Sequence, residues 1–379
     1  MPVSTIDCKK EFGSLMSEIC SRSPLATSLG SKEARPLLWT IIANPKAGGF
    51  TIKSRWKKHL AMLEECAERA RKNPINEGSG PSKTALREGG AQGLVHTRAA
   101  GHARELSAAL IEEAAGASAA GANARPFHLI VTAGGDGTSL EVQTGLYHAP
   151  AELRRDFAVL RLPMGTGNDG SDAWELDKAL SLIIEPSVVK QQRAIRLIPA
   201  SGKGPYLAFN ILSVGLDAFV THMTNKMKGK LPGDSYKLWV DVAALLYDRI
   251  YKVDFMDVRA RNEEGNEVKA FREKLLLLAV GESGRRTYGS HKWILPDDRN
   301  VCAIKQMHVL KKFALKGLFS KGGHVHRPEA MLWNAHAVEF SARPPILAQM
   351  DGESVLLEEG DFPAVIELTE PVIPVLSKL

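Results

Sequence analysis

The chain has 379 residues, of which 44% are hydrophobic and 24% charged, with a net charge of +6. That length exceeds what a single core usually serves, so two domains are expected, and the composition is that of a globular protein. The positive charge favours phosphates, anionic lipid or nucleic acid without choosing among them. Cys8, Cys20, Cys66 and Cys302 show no CxxC pairing, which argues against a disulfide framework and for reduced thiols in a cytosolic protein. No run approaches the roughly 18 apolar residues of a membrane span. The opening MPVSTIDCKKEFGSLMSEIC lacks the apolar stretch of a signal peptide.

Residues 1–35 read as an N-terminal extension with one short helix around Glu11 to Cys20. An alternation of strand and helix follows. Leu37 to Ala43 is an apolar, β-branched strand, and Thr51 to Arg71 a helix with Trp56, Leu60, Leu63 and Ala67 on one stripe. Asn73 to Gly93, rich in Gly, Pro, Ser and Asn, reads as a loop insertion. Leu94 to Thr97 is a short strand, Ala103 to Ala115 a helix, and Ala114 to Ala124 a fraying Ala/Gly segment. Phe127 to Thr132 is a buried strand with a helix from about Thr138, and Val159 to Leu162 a strand before a helix at Leu176 to Ile184. Repeated strand–helix units predict a parallel sheet with helices on both faces over residues 36–188.

From about Arg193 the texture becomes β-rich. Tyr206 to Val214, Lys252 to Arg261, Val268 to Val280, Val301 to Val309, Ala337 to Ala342 and Ile346 to Val355 read as strands, with Asn262 to Asn266 a hairpin turn. Ser235 to Ile250 and the basic Leu310 to Phe319 read as helices. Residues 189–363 are therefore expected to form a second, β-sandwich-like domain, with the active site in the cleft between the two.

Three glycine-rich turns each follow a predicted strand: Asn44-Pro45-Lys46-Ala47-Gly48-Gly49, Gly134-Gly135-Asp136-Gly137-Thr138 and Gly165-Thr166-Gly167-Asn168-Asp169. Ligands of open α/β sheets bind outside the carboxyl ends of the strands, so the three turns are expected to converge. Glycines let backbone N–H groups approach phosphate oxygens, and a helix N-terminus adds a favourable dipole. The pattern is neither G-x-x-x-x-G-K-S/T nor an opening G-x-G-x-x-G. Each turn taken singly also reads as a structural surface turn; three at strand ends do not read as coincidence.

These residues resemble the catalytic domain shared by diacylglycerol kinases, sphingosine kinases and bacterial lipid kinases. The family pattern N-P-x-S/A-G, G-G-D-G-T-x-x-E-V-x-x-G-L and P-x-G-T-G-N-D stands here as Asn44 to Gly48, Gly134 to Leu146 and Pro163 to Asp169. Weaker agreement runs through Thr97, Gly101-His102-Ala103, Asn210 to Ala218 and Asp351-Gly352-Glu353. The resemblance implies an ATP- and Mg²⁺-dependent lipid kinase, with diacylglycerol or a related glycerolipid as first acceptor. NAD kinase, which shares the Gly-Gly-Asp-Gly-Thr turn, and a non-catalytic lipid- or nucleotide-binding regulator are the alternatives. It implies that Asn44, Lys46, Gly48, Thr97, Gly134, Gly135, Gly137, Thr138, Gly165, Thr166 and Asn168 line the nucleotide site and that Asp136 serves the metal. It also implies that the C-terminal segment, residues 364–379, returns to the first domain.

Phosphoryl transfer needs charge neutralisation and a group to take the acceptor's proton. Asp136, Asp351 and Glu353 are the catalytic candidates, and which one is the base stays open. Asp351 and Glu353, two apart on a predicted strand, would share one face, although Asp351-Gly352 also reads as a hairpin turn. Glu141 is expected to orient the second turn or to favour a helix N-terminus. Two departures from the family stand out: Asp297-Asp298-Arg299-Asn300 lacks the usual metal-holding spacing, and Gly170-Ser171-Asp172-Ala173-Trp174 replaces a more apolar continuation. Phe219, where sphingoid kinases often carry an acid, disfavours a sphingoid substrate, though Asp217 nearby weakens this. Lys226, Lys228 and Lys230 with Met223 and Met227, and Lys311, Lys312, Lys316 and Lys321 with Leu318 and Phe319, suit peripheral contact with an anionic membrane; packing of the second group on its own domain is the alternative. No nucleic-acid-binding module is recognisable.

Overall fold

The computed structural model describes residues 5–25, 35–119, 125–165, 167–227, 247, 251–289, 291–308, 311–312, 317–319 and 321–379. These divide into two compact units, one of the residues up to Gln192 together with Pro371–Leu379, the other Arg193–Glu370.

The first unit is a parallel sheet covered on both faces. Its central strands are β1 (Leu37–Ala43), β4 (Phe127–Gly134) and β5 (Phe157–Pro163), with β4 paired in parallel to β1 and to β5. Beside β1 lie the short β2 (Gly80–Pro81) and β3 (Leu94–His96), both parallel to it. Their near-continuous apolar sequences follow from burial on two faces. Side chains alternate: Leu37, Trp39, Ile41, Leu129, Val131, Ala158 and Leu160 enter one core, while Ile42, Ile130, Phe157 and Val159 enter the other. The first core is closed by α1 (Thr5–Ser21), α2 (Gly48–Thr51), α3 (Lys53–Ala70) and α8 (Leu176–Ile184). The second is closed by α4 (Lys83–Arg87), α5 (His102–Ala119) and α6 (Asp136–His148). A further short helix, α7 (Ala151–Arg154), leads into β5. The sheet order β3-β1-β4-β5 reverses direction between β1 and β4, which creates a crevice at their carboxyl ends.

Several expectations are corrected here. The opening helix is longer than Glu11 to Cys20, and its stripe of Phe12, Met16, Ile19 and Cys20 is wholly buried. The stripe repeats at i, i+4, i+7 and i+8, a spacing that marks a buried helix face. The Asn73–Gly93 stretch is not a plain loop: β2 pairs with β1, and Ser82 caps α4 by accepting the Ala85 N–H at 3.0 Å. The Thr51–Arg71 helix is broken at Ile52, whose φ of −91° and ψ of 107° are extended.

The second unit contains two antiparallel sheets sharing one long strand. β10 (Glu267–Gly281) pairs through Glu267–Lys274 with β9 (Phe255–Arg261), and through Leu277–Gly281 with β8 (Ile211–Gly215). The β9 side continues through β15 (Ala337–Ser341) to β18 (Ala364–Lys378), then β6 (Ser187–Ile198) and β7 (Tyr206–Ala208). The β8 side continues to β16 (Ile346–Met350) and β17 (Glu353–Leu357), and β10 also pairs with β13 (Val301–Lys305), which pairs with β14 (Ala330–Trp333). A two-stranded ribbon joins β11 (Arg286–Tyr288) to β12 (Lys292–Leu295). Leu278 and Val280 face the core between the sheets, while Leu277 and Ala279 join an outer cluster with Phe219 of α9 (Leu216–Met227). The Asn262–Asn266 turn closes the β9–β10 hairpin, with the Asn262 N–H donating to the Asn266 carbonyl at 3.0 Å.

The stretch expected as one strand at Ile346–Val355 is a hairpin, and Tyr206–Val214 is two strands. The expected helix at Ser235–Ile250, Tyr247 apart, and most of that at Leu310–Phe319 lie outside the described residues.

Candidate active site

The three glycine turns meet at the carboxyl ends of β1, β4 and β5. In the first, the Asn44 side chain accepts the Lys46 N–H at 2.9 Å, and the Asn44 N–H donates to Ala133 at the end of β4 at 3.0 Å. Lys46 is exposed and Gly48 opens α2. The next residue, Gly49, donates its N–H to the Met164 carbonyl at 2.8 Å, tying the first turn to the third. Thr97, directly after β3, donates its N–H to Ala43 at 2.9 Å and so lies beside the first turn.

The second and third turns touch backbone to backbone: a Cβ on Gly165 would stand 2.6 Å from the Cα of Gly135. Only glycine permits that approach. Asn168 holds the third turn closed in a left-handed conformation, φ 60°, its side chain accepting the Gly165 N–H at 2.6 Å and donating to Pro163 at 3.3 Å. Asparagine tolerates this conformation better than most residues. Gly134 ends β4, Gly135 is the N-cap of α6, and Gly137 and the buried Thr138 lie in its first turn. Thr166 lies outside the described residues.

Asp136 begins α6, where the helix dipole favours a negative charge. Its Oδ1 accepts the Gly170 N–H at 3.1 Å. Its Oδ2 and the Oδ2 of Asp169 stand 3.1 and 3.3 Å from the point a Gly167 Cβ would occupy. Two carboxylate oxygens flanking one glycine suit Mg²⁺, which binds through one or two carboxylates and completes its shell with water and substrate phosphates. Among the described residues no group of three or more His, Cys, Asp or Glu side chains could hold a metal by itself. Asp136 and Asp169 could each contribute one carboxylate to such a site.

Two further groups frame this site. The Glu141 carboxylate accepts the Gly101 and Ala103 N–H groups at 2.7 and 3.0 Å, capping α5 rather than its own helix. His59 of α3 lies against the first turn, its Cε1 3.1 Å from a Cβ placed on Gly49. Burial, with Lys58 and Arg55 adding to it, pushes its pKa down to about 4, so the ring is neutral near pH 7. Asp169 lies in a quoted motif yet was not among the expected ligands; an acid adjoining Asn168 in the same turn was the available signal. His59 has no comparable signature.

The second-unit candidates are not arranged as a shared strand face. Asp351 and Gly352, with φ of 46° and 102°, form the two-residue loop between β16 and β17, where Met350 pairs with Glu353. Two positive φ values suit a primed turn, for which Asp-Gly is a preferred sequence. Asp351 is buried, and its carboxylate accepts the backbone N–H groups of Phe209, Asn210 and Ile211, the last at 2.9 Å. Those N–H groups turn away from strand pairing, which explains the break between β7 and β8. Asp351 thus clamps the backbone between β7 and β8, and it stands in a turn rather than on a strand face shared with Glu353. Glu353 is exposed at the start of β17.

Of the basic clusters, Lys226 is exposed on α9, whereas Lys228, Lys230 and Lys316 lie outside the described residues. Lys311 pairs with Glu329 at 3.0 Å, Lys312 is buried, and Leu318 and Phe319 pack on the outer cluster. Lys311 and Lys321 are nonetheless exposed. Asp297 and Asp298, at the departure from the family's metal-holding pattern, are engaged by Arg299 and Arg285.

Residues 38–200 match the family model of the diacylglycerol kinase catalytic domain. A probable lipid kinase, YegS-like, from Yersinia pestis (strain Pestoides F) is 31% identical over 108 residues, which are 28% of this chain and 35% of that protein. The protein of the same description from Yersinia pseudotuberculosis serotype O:1b (strain IP 31758) matches to the same extent. The chain thus aligns with about a third of the length of these curated relatives. Two solved structures of a candidate diacylglycerol kinase from Bacillus anthracis str. Sterne share the fold at TM-scores of 0.55 and 0.51. Each is 18% identical and covers 90% of this chain and 97% of that one. The three turns, Asp136 and Asp169 thus all lie within residues 38–200, the stretch that is similar to the diacylglycerol kinase catalytic domain.

Proposed function

We propose that the protein is an ATP-dependent lipid kinase that phosphorylates a hydroxyl group of a glycerolipid of the diacylglycerol type. The observation that carries this reading is the meeting of three backbone turns around Asp136 and Asp169 at the switch point of the sheet. Backbone N–H groups of the turns and the α6 N-terminus receive the nucleotide phosphates. Mg²⁺, when bound, neutralises phosphate charge during transfer. Asp136 and Asp169 hold it and set where the phosphates lie, and Asn168 and Glu141 keep the turns in place. Glu353, exposed at the start of β17, is the second-unit candidate for taking the acceptor's proton. The names of the Yersinia relatives support a lipid acceptor. No helix among the described residues is long and apolar enough to cross a membrane.

The test is transfer of labelled γ-phosphate from ATP and Mg²⁺ to diacylglycerol in mixed micelles, beside a total lipid extract and NAD. Labelled phosphatidic acid, reduced about 10²–10³-fold by Asp136→Ala, supports the reading. Label on another lipid changes the acceptor, label on NAD alone replaces the reading, and no transfer to any acceptor overturns it.

A further inference from the structure

β5 is buried along its whole length, yet it carries an arginine in its middle. Arg161 and Asp172 have side-chain exposures of only 7% and 6%. The guanidinium donates from Nε at 3.1 Å and from Nη2 at 2.6 Å to Asp172 Oδ1, while the Arg161 N–H donates to Oδ2 at 2.6 Å. The Asp172 N–H returns to the Arg161 carbonyl at 3.1 Å. The two residues therefore close a loop whose interior is the whole third turn. Two residues before Asp172, the Gly170 N–H donates to Asp136 Oδ1. On the other side, Arg161 is registered against Thr132 of β4, the strand that leads into Asp136.

A buried ion pair is weak evidence for stability, because removing two charges from water costs about as much as their attraction returns. Well-packed apolar residues would hold a strand and a loop together at least as cheaply. What they would not supply is a fixed donor geometry at both carboxylate oxygens, which sets the path of the chain at Gly170. We propose that the Arg161–Asp172 pair is a positioning device that aims the Asp136 carboxylate at the Mg²⁺–phosphate site through the Gly170 N–H. The pair touches neither nucleotide nor metal; it acts through the third turn. This rests on the reading of Asp136 given above. Outer-sphere partners of metal-holding groups characteristically change metal affinity by about 10–100-fold when removed.

The test compares the wild type with the apolar double variant Arg161→Met/Asp172→Leu and with Asp172→Asn, which keeps the shape but removes the charge. Binding of a non-hydrolysable ATP analogue is measured by titration calorimetry with and without Mg²⁺, and folding by thermal unfolding. The expected result is a double variant that melts near the wild type but has lost the Mg²⁺-dependent part of its affinity, a weakening of about 10–100-fold. Asp172→Asn shifts in the same direction and carries the test should the double variant not fold. A folded variant that binds the analogue with the wild type's Mg²⁺ dependence overturns the inference. Asp136→Ala separates the two levels. If it too leaves the Mg²⁺ dependence intact, the underlying reading of Asp136 falls; if it abolishes the dependence while the pair variants keep it, only the positioning role falls.

Discussion

Replacing Phe12 by alanine would empty a space enclosed on all sides. Phe12 is fully buried, its ring meeting Phe50 edge-on at 5.1 Å and Trp56 at 6.4 Å. Met16 and Ile19 follow it into the same core. Removing a buried phenylalanine side chain costs about 3–5 kcal/mol, the lost transfer free energy plus the cavity left behind. For a unit of this size each kcal/mol lowers the melting temperature by about 2–4 °C, so the unit holding α1 should melt about 6–20 °C lower. Far-UV circular dichroism reads the transition, and hydrogen exchange should locate the loss of protection in β1, β4 and β5. Lys10→Ala, at an exposed position of the same helix, is the control. A Phe12→Ala shift no larger than that of the control would refute the view that the opening helix is part of the core. Phe50 also lies one residue beyond Gly49, so the same variant should weaken binding of an ATP analogue.

Asp351→Ala strands the N–H groups of Phe209, Asn210 and Ile211, at about 1–3 kcal/mol for each buried group left unsatisfied. Chemical denaturation should show the loss, and a variant as stable as the wild type would contradict the clamp. Glu353→Ala, at an exposed position, should leave stability within about 0.5 kcal/mol. A fall in kcat in that variant would therefore report chemistry rather than folding. His59 and His324 have folded pKa values lowered from 6.5 to about 4 by burial, so the unfolded chain binds more protons between those limits. Stability should accordingly decline as pH falls from about 6.5 towards 4, and denaturant midpoints of His59→Leu and His324→Leu variants should decline less steeply. Burial also pushes the Cys66 and Cys302 thiols up to about 12, so both should resist iodoacetamide until the protein is denatured, as peptide mapping by mass spectrometry would show.

Much of the first unit is legible because its determinants are local. The buried strands announce themselves as apolar runs, and the helix at Leu176–Ile184 is framed as its hydrophobic spacing indicates. Where the reading slipped, the deciding partner was distant. Gly80 and Pro81 look like loop residues until β1 pairs with them. Glu141 resembles an ordinary helix residue, but its partners Gly101 and Ala103 lie far back in the chain. The role of Asp351 depends on three N–H groups some 140 positions away, and its neighbour Gly352 carried a hairpin signal that competed with the strand pattern. The three turns were readable as motifs, but the contact of Gly135 with Gly165 that joins them is a product of the folded sheet. Arg161 is an ion within an apolar strand, and only the loop's return brings Asp172 to it.

The last strand has a consequence for synthesis. Val375 of β18 pairs with Val159 of β5, so one edge of the first unit's sheet is finished by residues made about 200 positions later. At ribosomal rates of about 5–20 residues per second, that edge stands uncovered for about 10–40 s after β5 emerges. An unpaired apolar strand edge invites pairing with other chains. A nascent chain of this protein is therefore most prone to aggregate, and most dependent on chaperones, while its second unit is still being made, and C-terminal truncation or a bulky C-terminal fusion should prolong that exposure.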